Sequence, residues 1–170
     1  MKKPSWEKLK TPVRFTLLTL LCFLSIRILF ANFYVEGPSM EPAFLQGDKI
    51  LVEKVSVALG NLDRNDVVVL RSPEISGSLL KRIVAVPGDV VEVRDNAICV
   101  NGYELPDSFT PGPDSEEPEL IPANCYFVLG DNRGFSQDSR TWLNKYVPKD
   151  LIVGIPILRV WPVSRVMKSW

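Results

Sequence analysis

The sequence predicts a mainly β domain, built on an antiparallel sheet and preceded by one N-terminal membrane-spanning helix. A long apolar segment near the N-terminus is followed by a series of short β-type runs. Glycine, proline, asparagine and aspartate separate these runs, which is typical of hairpins packed around one core. The chain has 170 residues, 46% of them hydrophobic. This length suffices for one anchor and one compact domain but not for two full soluble domains.

The apolar segment extends from Val13 to Phe33 and has the length of a transmembrane helix. About 21 residues at 1.5 Å each match a hydrocarbon core of roughly 30 Å. Arg27 lies toward the far end, where its long side chain can reach the headgroups. A cleavable signal peptide is the alternative, but Leu29 and Ala31 do not form the pair of small residues that cleavage needs. We therefore predict a permanent anchor over residues 13–33.

The charges on the two sides of this segment predict its orientation. One acidic residue, Glu7, and five basic residues precede or enter the segment: Lys2, Lys3, Lys8, Lys10 and Arg14. Acidic residues follow it soon afterwards, at Glu36, Glu41 and Asp48. The positive-inside rule then predicts a cytoplasmic tail of residues 1–12 and an extracytoplasmic domain of residues 34–170. The membrane would be the plasma membrane, or a thylakoid membrane in a cell that has one.

Seven runs after the anchor predict β-strands: DKILVEKV, NDVVVL, LLKRIVAV, DVVEVRD, AICVNG, NCYFVLG and LIVGIPILRVW. Asp95 and Asn96 indicate a tight turn between two of them. Residues 103–121 are rich in proline and acidic side chains, and they predict an exposed loop because they cannot bury enough apolar surface. No segment after the anchor has strong helical periodicity. Trp161 and Trp170, near the C-terminus, fit either a membrane interface or core and dimer packing.

The composition excludes several classes of function. Basic and acidic residues balance at 20 each, so the basic surface of a nucleic-acid binder is not expected. The chain has no histidine and no CxxC pair, so neither a metal centre nor a cofactor is expected. Cys99 and Cys125 fit buried thiols, or a disulfide if the domain faces an oxidising compartment.

The absence of histidine also excludes a histidine-based catalytic triad. A serine hydrolase of this sequence needs another base, and a lysine of lowered pKa is the known substitute. Ser39 follows Gly37 and Pro38 at a turn that would expose its hydroxyl, although a capping or turn serine is the alternative. Lys81 lies among apolar residues in LLKRIVAV, where burial favours the neutral amine. Arg82 would lie on the opposite face of the same strand, because side chains alternate.

Four blocks in order resemble the type I signal peptidases, the membrane-anchored serine/lysine leader peptidases that remove signal peptides. They are GPSMEPAFLQGDKILVEK, RNDVVVL, KRIVAVPGD and GDNRGFSQDSR. The resemblance implies a catalytic domain of the signal-peptidase type, with Ser39 as nucleophile and Lys81 as general base. It also implies signal peptides of exported preproteins and the lipid bilayer as partners. Small residues would then be required at positions −1 and −3 of the substrate.

The resemblance implies supporting residues as well. Ser136 corresponds to the family serine whose hydroxyl hydrogen-bonds the lysine amine. Charged residues of the last block would fix its loop by salt bridges: Asp131, Arg133, Asp138 and Arg140, with Arg82 as a partner of Asp131. The substrate would lie extended beside YVEGPSM and the strand of Lys81. We predict apolar pocket walls formed by Tyr34, Val35, Leu79 and Leu80.

Three positions depart from the family pattern. Gly37 stands where many relatives have a serine that donates to the oxyanion hole, Ala43 where threonine is usual, and Asn65 where glycine is usual. Gly37 keeps open a second interpretation, a catalytically silent, membrane-tethered β binding module. Self-cleaving SOS-response repressors share the serine/lysine chemistry, but they cut an Ala-Gly or Cys-Gly bond and this sequence has neither.

Overall fold

The computed structural model of the protein describes residues 5–72, 74, 77–94, 97–105 and 117–165, and in the first helix the side chains from Pro12 onward. The predicted turn at Asp95 and Asn96, most of the predicted loop and Trp170 lie outside these residues. Within them, helix α1 covers Ser5–Leu29. Its segment Pro12–Leu29 has a mean hydropathy of 1.7 and no buried side chain, and by length and composition it is a candidate membrane span.

The helix ends at Leu29 and not at Phe33, where the predicted anchor ends. Residues Phe30–Tyr34 form strand β1, which pairs antiparallel with strand β2, Lys49–Glu53. The backbone groups of β1 are therefore satisfied by a sheet instead of a helix. Arg27 consequently lies in the last helical turn, where the partial negative charge of the carbonyl end favours a cation.

Eleven strands form two antiparallel sheets in the described part of the chain, which confirms the predicted fold class. The larger sheet has the order β1-β2-β11-β3-β4-β9-β10 and the smaller one the order β7-β6-β5-β8. The strands after β2 are β3 Val67–Arg71, β4 Ser78–Ala85, β5 Val90–Arg94, β6 Ala97–Val100, β7 Tyr103–Glu104, β8 Glu119–Leu120, β9 Cys125–Leu129, β10 Val147–Pro148 and β11 Ile152–Trp161. All seven predicted runs contain one of these strands.

The prediction lacks helix α2, Val55–Leu59, and the short strands β7, β8 and β10. Helix α2 is only five residues long, which is too short for a periodic pattern to be visible. Strands β7 and β8 lie at the two ends of the predicted loop 103–121 and have two residues each. Tyr103 is 80% exposed, and residues 106–116 lie outside the described part.

Three strands begin directly after the same kind of turn. In each turn an aspartate carboxylate accepts a hydrogen bond of 2.8–3.0 Å from the backbone N–H three residues earlier. The residue before the aspartate has a positive φ, which glycine and asparagine tolerate best. The turns are Leu45–Asp48 before β2, Asp63–Asp66 before β3 and Val86–Asp89 before β5. This geometry explains how Asn65, at φ +76°, replaces a glycine.

Buried apolar residues form a cluster between the larger sheet and the segment that carries Ser39. This cluster joins the chain on both sides of the serine to strands β2 and β3. Its buried members are Val35, Met40, Phe44, Ile50, Val52, Val67 and Val69. Since Met40 and Phe44 are almost completely buried, the turn that begins at Ser39 is anchored on the core of the domain.

Candidate active site

Ser39 lies at the start of a helical turn inside a closed loop. The loop runs from Val35 to Asp48, and two backbone hydrogen bonds join its ends, Val35 N to Asp48 O at 2.8 Å and Gly47 N to Val35 O at 3.0 Å. Inside it, Phe44 N donates to Met40 O at 2.9 Å and closes the helical turn. Ser39 itself is half-buried, so its hydroxyl is held at the surface by a well-packed support.

Lys81 lies on β4, in the middle of the larger sheet, and only 2% of its surface is exposed. Burial lowers the pKa of its amine from 10.5 to about 8; Asp138 and Asp131 oppose this shift, and Arg140 adds to it. At mildly alkaline pH the amine is therefore largely neutral and can accept a proton.

Ser136 connects Lys81 to a buried carboxylate. Lys81 Nζ donates to Ser136 Oγ at 2.9 Å, and Ser136 Oγ donates to Asp138 Oδ2 at 2.6 Å. An ionised carboxylate only accepts hydrogen bonds, so the hydroxyl proton of Ser136 must point to Asp138. Ser136 can then only accept from Lys81, which leaves the lone pair of a neutral Lys81 amine available for another proton.

Asp138 is fully buried and is held in its ionised form by its partners. Burial raises the pKa of this carboxyl, but hydrogen bonds from Arg140, the Gly130 backbone and Ser136 bring the pKa below its ordinary value. Arg140 Nε lies 2.7 Å from Asp138 Oδ1, and Gly130 N donates to Oδ2 at 3.0 Å. Arg140 also donates to the carbonyl of Arg133 at 2.8 Å, which closes the loop of the last sequence block.

Arg82 points away from this network, as strand alternation predicts. It forms a two-pronged ion pair with Asp131, at 2.8 Å and 2.7 Å, and donates to the carbonyl of Asn65 at 2.7 Å. Arg82 therefore ties the loop of residues 130–140 to the turn before β3. The ion pair implied by the resemblance is present in the structure, on the opposite side of β4 from Lys81.

Two residues that the sequence analysis did not single out connect the loop of Ser136 to Ser39. Asn132 donates from its backbone to Ser39 O at 3.0 Å and from its side chain to Pro38 O at 3.1 Å. Gly130 packs so closely that a Cβ atom there would lie 2.3 Å from Ser136 Oγ and 2.5 Å from Ser39 O. Both lie inside GDNRGFSQDSR, and their place in that block is the signal that could have identified them.

Two cavities meet at Ser39. The larger one, of about 250 Å³, is lined by Ser39, Lys81, Trp142 and the aromatic ring of Phe135. Along the sequence Ser39 and Lys81 are far apart, and the fold places them on one cavity.

The narrower cavity, of about 40 Å³, lies beside Ser39 and is lined by both apolar and polar residues. Its walls include all four residues predicted to bind substrate, Tyr34, Val35, Leu79 and Leu80. They differ in exposure, since Val35 is 6% exposed and belongs to the core, whereas Tyr34 is 56% exposed. The pocket is formed where β1 and β4 flank the Ser39 loop.

Gly37 adopts a φ of +78°, and a Cβ atom there would have no neighbour within 4 Å. The position is therefore open in space but strained for any side chain. Gly37 therefore offers no side-chain donor for an oxyanion.

Comparison with known proteins finds similar sequences over most of this chain. The family described as "Signal peptidase, peptidase S26" matches residues 9–161. The signal peptidase I of Leptolyngbya laminosa is 33% identical over 159 residues, which cover 87% of this chain and 77% of that protein. The probable signal peptidase I-2 of Synechocystis sp. is 36% identical over 141 residues, 78% of this chain and 64% of that protein.

The signal peptidase I P of Bacillus subtilis subsp. natto is 32% identical over 159 residues, 86% of this chain and 85% of that protein. A crystal structure of a signal peptidase I from Enterococcus faecalis V583 shares 27% identity and covers 55% of this chain and 94% of that one, with a TM-score of 0.43. The family match extends over most of the chain, from helix α1 to the end of strand β11. The chain therefore belongs to the signal peptidase family, peptidase S26, and is a serine endopeptidase.

Proposed function

We propose that this protein removes signal peptides from exported preproteins, with Ser39 as the nucleophile and Lys81 as the general base. The names of the relatives support the activity, and the geometry of the site supports the roles of Ser39 and Lys81. The observation that supports the dyad best is a buried lysine with a pKa of about 8 on the same cavity as a serine at a turn. Among the described residues, this arrangement supplies the base that a chain without histidine needs.

The reaction follows from the protonation states. Neutral Lys81 takes the proton of the Ser39 hydroxyl while Oγ forms a bond to the scissile carbonyl carbon. The protonated amine then gives that proton to the leaving nitrogen as the peptide C–N bond breaks, and water hydrolyses the resulting ester. Ser136 and Asp138 keep one N–H of Lys81 engaged throughout, so the lone pair of the neutral amine stays available for the Ser39 proton. General-base help of this kind contributes about 10²–10⁴ in rate.

The narrow pocket supports a preference for small substrate side chains. A peptide that lies extended beside β4 places alternate side chains on one face, so positions −1 and −3 would enter together. The cavity that Tyr34, Val35, Leu79 and Leu80 help to line has a volume of only about 40 Å³, which favours small side chains over large ones. We therefore infer that alanine is favoured at both positions.

The apolar helix supports a membrane-tethered enzyme. The window Pro12–Leu29 is long and apolar enough to cross a bilayer, and β1 starts at the residue after it. From the basic N-terminal tail we infer a cytoplasmic N-terminus and an extracytoplasmic catalytic domain. Ser39 would then act close to the membrane surface, where the end of a translocated signal peptide emerges.

The test is the cleavage of a preprotein with an Ala-x-Ala site by the purified, detergent-solubilised chain. Ser39→Ala and Lys81→Ala should each abolish cleavage while the protein stays folded. Ser56→Ala and Lys54→Ala are matched controls, because both positions lie at α2, outside the two cavities around Ser39. Full activity in Ser39→Ala would reject the dyad.

One alternative left open by the sequence is a catalytically silent binding module, because Gly37 provides no side-chain donor to the oxyanion. It predicts that Ser39→Ala complements a cell depleted of its signal peptidase as well as the wild type does. Loss of complementation in Ser39→Ala, with unchanged protein level, would reject it.

A further inference from the structure

A second buried ion pair lies on the other side of the Ser39 loop from Asn132. Asp48 is fully buried and Arg159, on β11, is 4% exposed. Arg159 Nε lies 2.9 Å from Asp48 Oδ2, and Arg165 Nη2 lies 2.9 Å from Asp48 Oδ1. Two charges removed from water in this way need tight, specific contacts to be retained.

Both members of the pair bind the loop that carries Ser39. Asp48 Oδ2 accepts the Leu45 N–H at 3.0 Å, and the backbone carbonyl of Asp48 accepts the Val35 N–H at 2.8 Å. Asp48 thus binds the chain before and after Ser39. It closes a loop of the compact type whose ends are adjacent and whose own side chains pack its interior.

Arg159 binds the end of the turn that begins at Ser39. Its Nη2 donates to the carbonyl of Ala43, and its guanidinium lies 5.6 Å from the centroid of the Phe44 ring. A carbonyl at the end of a helical turn carries partial negative charge, so a cation stabilises it there. Since β11 lies between β2 and β3 in the larger sheet, Arg159 joins the loop to a rigid element.

We propose that Asp48 and Arg159 form a positioning pair that holds Ser39 in the reactive position relative to Lys81. This inference rests on the proposed function of Ser39 and Lys81. Neither residue lines the two cavities around Ser39, so neither is a candidate to touch the reacting atoms. Their action is through the backbone of residues 43–48, and Asn132 supplies the opposing contact at Ser39 O.

The chain contains a matched control for this pair. Asp89 is 5% exposed, accepts the Val86 N–H at 2.9 Å in the same kind of turn, and is paired with Arg64. Gly47 and Gly88 precede the two aspartates with φ values of +92° and +88°. Both turns lose an arginine ion pair when the carboxylate becomes an amide, although Asp48 pairs with two arginines and Asp89 with one arginine and the Asn101 amide. Only the turn of Asp48 belongs to the Ser39 loop.

The experiment compares kcat and KM of Asp48→Asn and Asp89→Asn in the full detergent-solubilised chain. The value of kcat is normalised to the folded fraction, which is measured by tryptophan fluorescence. We expect both variants to lose thermal stability. We expect kcat to fall about tenfold or more in Asp48→Asn alone, since small displacements of a nucleophile have effects of that order. KM should change less than about threefold, and the pH midpoint near 8 should be unchanged because Lys81 is untouched.

Equal kcat in folded Asp48→Asn and Asp89→Asn would overturn the positioning role and leave only a structural one. If Asp48→Asn does not fold, Arg159→Lys decides, since it keeps the charge but loses the forked geometry. A wild-type kcat in Arg159→Lys overturns the proposal, and a reduced kcat with wild-type KM supports it.

A third variant, Arg165→Ala, removes the second partner of Asp48. The side chain of Arg165 is 35% exposed, so this is the mildest of the three changes. It should lower kcat less than Arg159→Lys does, and an effect on stability alone would count against the pair. An inactive wild type, or an active Ser39→Ala, would reject the proposed function itself. An active wild type with inactive Ser39→Ala and unimpaired Asp48→Asn would reject only the positioning pair.

Discussion

Lys81 and Ser136 are joined by a hydrogen bond of 2.9 Å between Nζ and Oγ, although they are 55 residues apart in the chain. Lys81 lies on a central strand and Ser136 follows a short 3₁₀ turn, Arg133–Phe135. The bond therefore fixes a rigid strand against a loop. Because the Ser136 hydroxyl donates its hydrogen bond to Asp138, Ser136 can only accept from Lys81, and the lone pair of a neutral Lys81 amine points away from Ser136.

The pH dependence of cleavage should report the titration of Lys81. Burial lowers the pKa of Lys81 to about 8, and only the neutral amine accepts the serine proton. We expect kcat/KM to rise as the pH increases through about 8 and to level off above it. A fluorogenic peptide with an Ala-x-Ala site measures this profile. Residual cleavage by Lys81→Ala that kept the same acidic limb would assign the limb to another group.

The same pKa predicts how stability depends on pH. The folded-state pKa of about 8 is below the ordinary value of 10.5, so between these values the unfolded chain binds more protons than the folded one. Below about pH 8 the folded protein bears the full free-energy cost of burying the ammonium. This cost disappears as the pH rises toward 10.5. It amounts to about 3 kcal/mol, at about 1.4 kcal/mol per pKa unit.

Urea unfolding of the wild type and of Lys81→Met measures this effect. The free energy of unfolding of the wild type, relative to Lys81→Met, should increase by about 3 kcal/mol from neutral pH to the alkaline end of that range. Other titrating groups cancel in the difference. A difference that is independent of pH would mean that the buried amine keeps an ordinary pKa.

Asp138→Asn should reduce activity more than the loss of one hydrogen bond alone would. The amide can donate to Ser136, so the hydroxyl of Ser136 becomes free to donate to the Lys81 lone pair. The base would then be occupied when Ser39 needs it, and we expect kcat to fall by about 10²-fold or more, the size of a general-base contribution.

Ser136→Ala provides the comparison for this prediction. It removes the link without reversing a hydrogen bond, so it should lose less kcat than Asp138→Asn in enzyme that is equally folded. Both variants need a stability measurement, because Asp138 is buried with Arg140 and loss of one partner leaves a buried charge. The opposite order of the two kcat values would contradict the proton direction assigned to Ser136.

The fold was largely predictable from the sequence, whereas the site was predictable only in part. Short β-type runs bounded by glycine, proline, asparagine and aspartate locate the strands, and the absence of histidine limits the choice of a base to residues such as Lys81. The end of α1 at Leu29 was not predictable, because FANF is as compatible with a membrane helix as with β1. Only the pairing with Lys49–Glu53 decides between them.

The residues of the site that were not predicted act through contacts with distant parts of the chain. Asn132 and Gly130 matter through the backbone of Ser39, which is far away in the sequence, and no local pattern encodes that contact. The role of Arg159 was not predictable for the same reason. In the sequence it is one charged residue in an apolar strand, and only the structure shows its contact with the carbonyl of Ala43.

Gly130→Ala should damage the site directly. Its Cβ would lie 2.3 Å from Ser136 Oγ and 2.5 Å from Ser39 O, so both loops would have to move apart. We expect a loss of about 1–3 kcal/mol in the free energy of unfolding, typical of overpacking, and a lower kcat in the folded protein. Gly134→Ala is the control, since a Cβ there meets nothing within 4 Å. Equal behaviour of the two variants would show that Gly130 is not close-packed.

The effect of a side-chain donor to the oxyanion can be tested by introducing a hydroxyl at position 37. Gly37→Ser and Gly37→Ala both place a Cβ in open space at a φ of +78°, so they share the same backbone strain of about 1 kcal/mol. They differ only by the hydroxyl. The ratio of their kcat values therefore isolates the hydroxyl from the strain.

We expect Gly37→Ser to have a higher kcat than Gly37→Ala, measured above pH 8 where Lys81 is largely neutral. A full side-chain donor contributes about 10²–10³ in kcat when it is well aligned, and the strained backbone should reduce that gain. A Gly37→Ser variant that also exceeds the wild type would mean that the native site lacks a second donor. Equal kcat in Gly37→Ser and Gly37→Ala would mean that a hydroxyl at this position cannot reach the oxyanion, so that the backbone N–H of Ser39 must be helped from another part of the cavity.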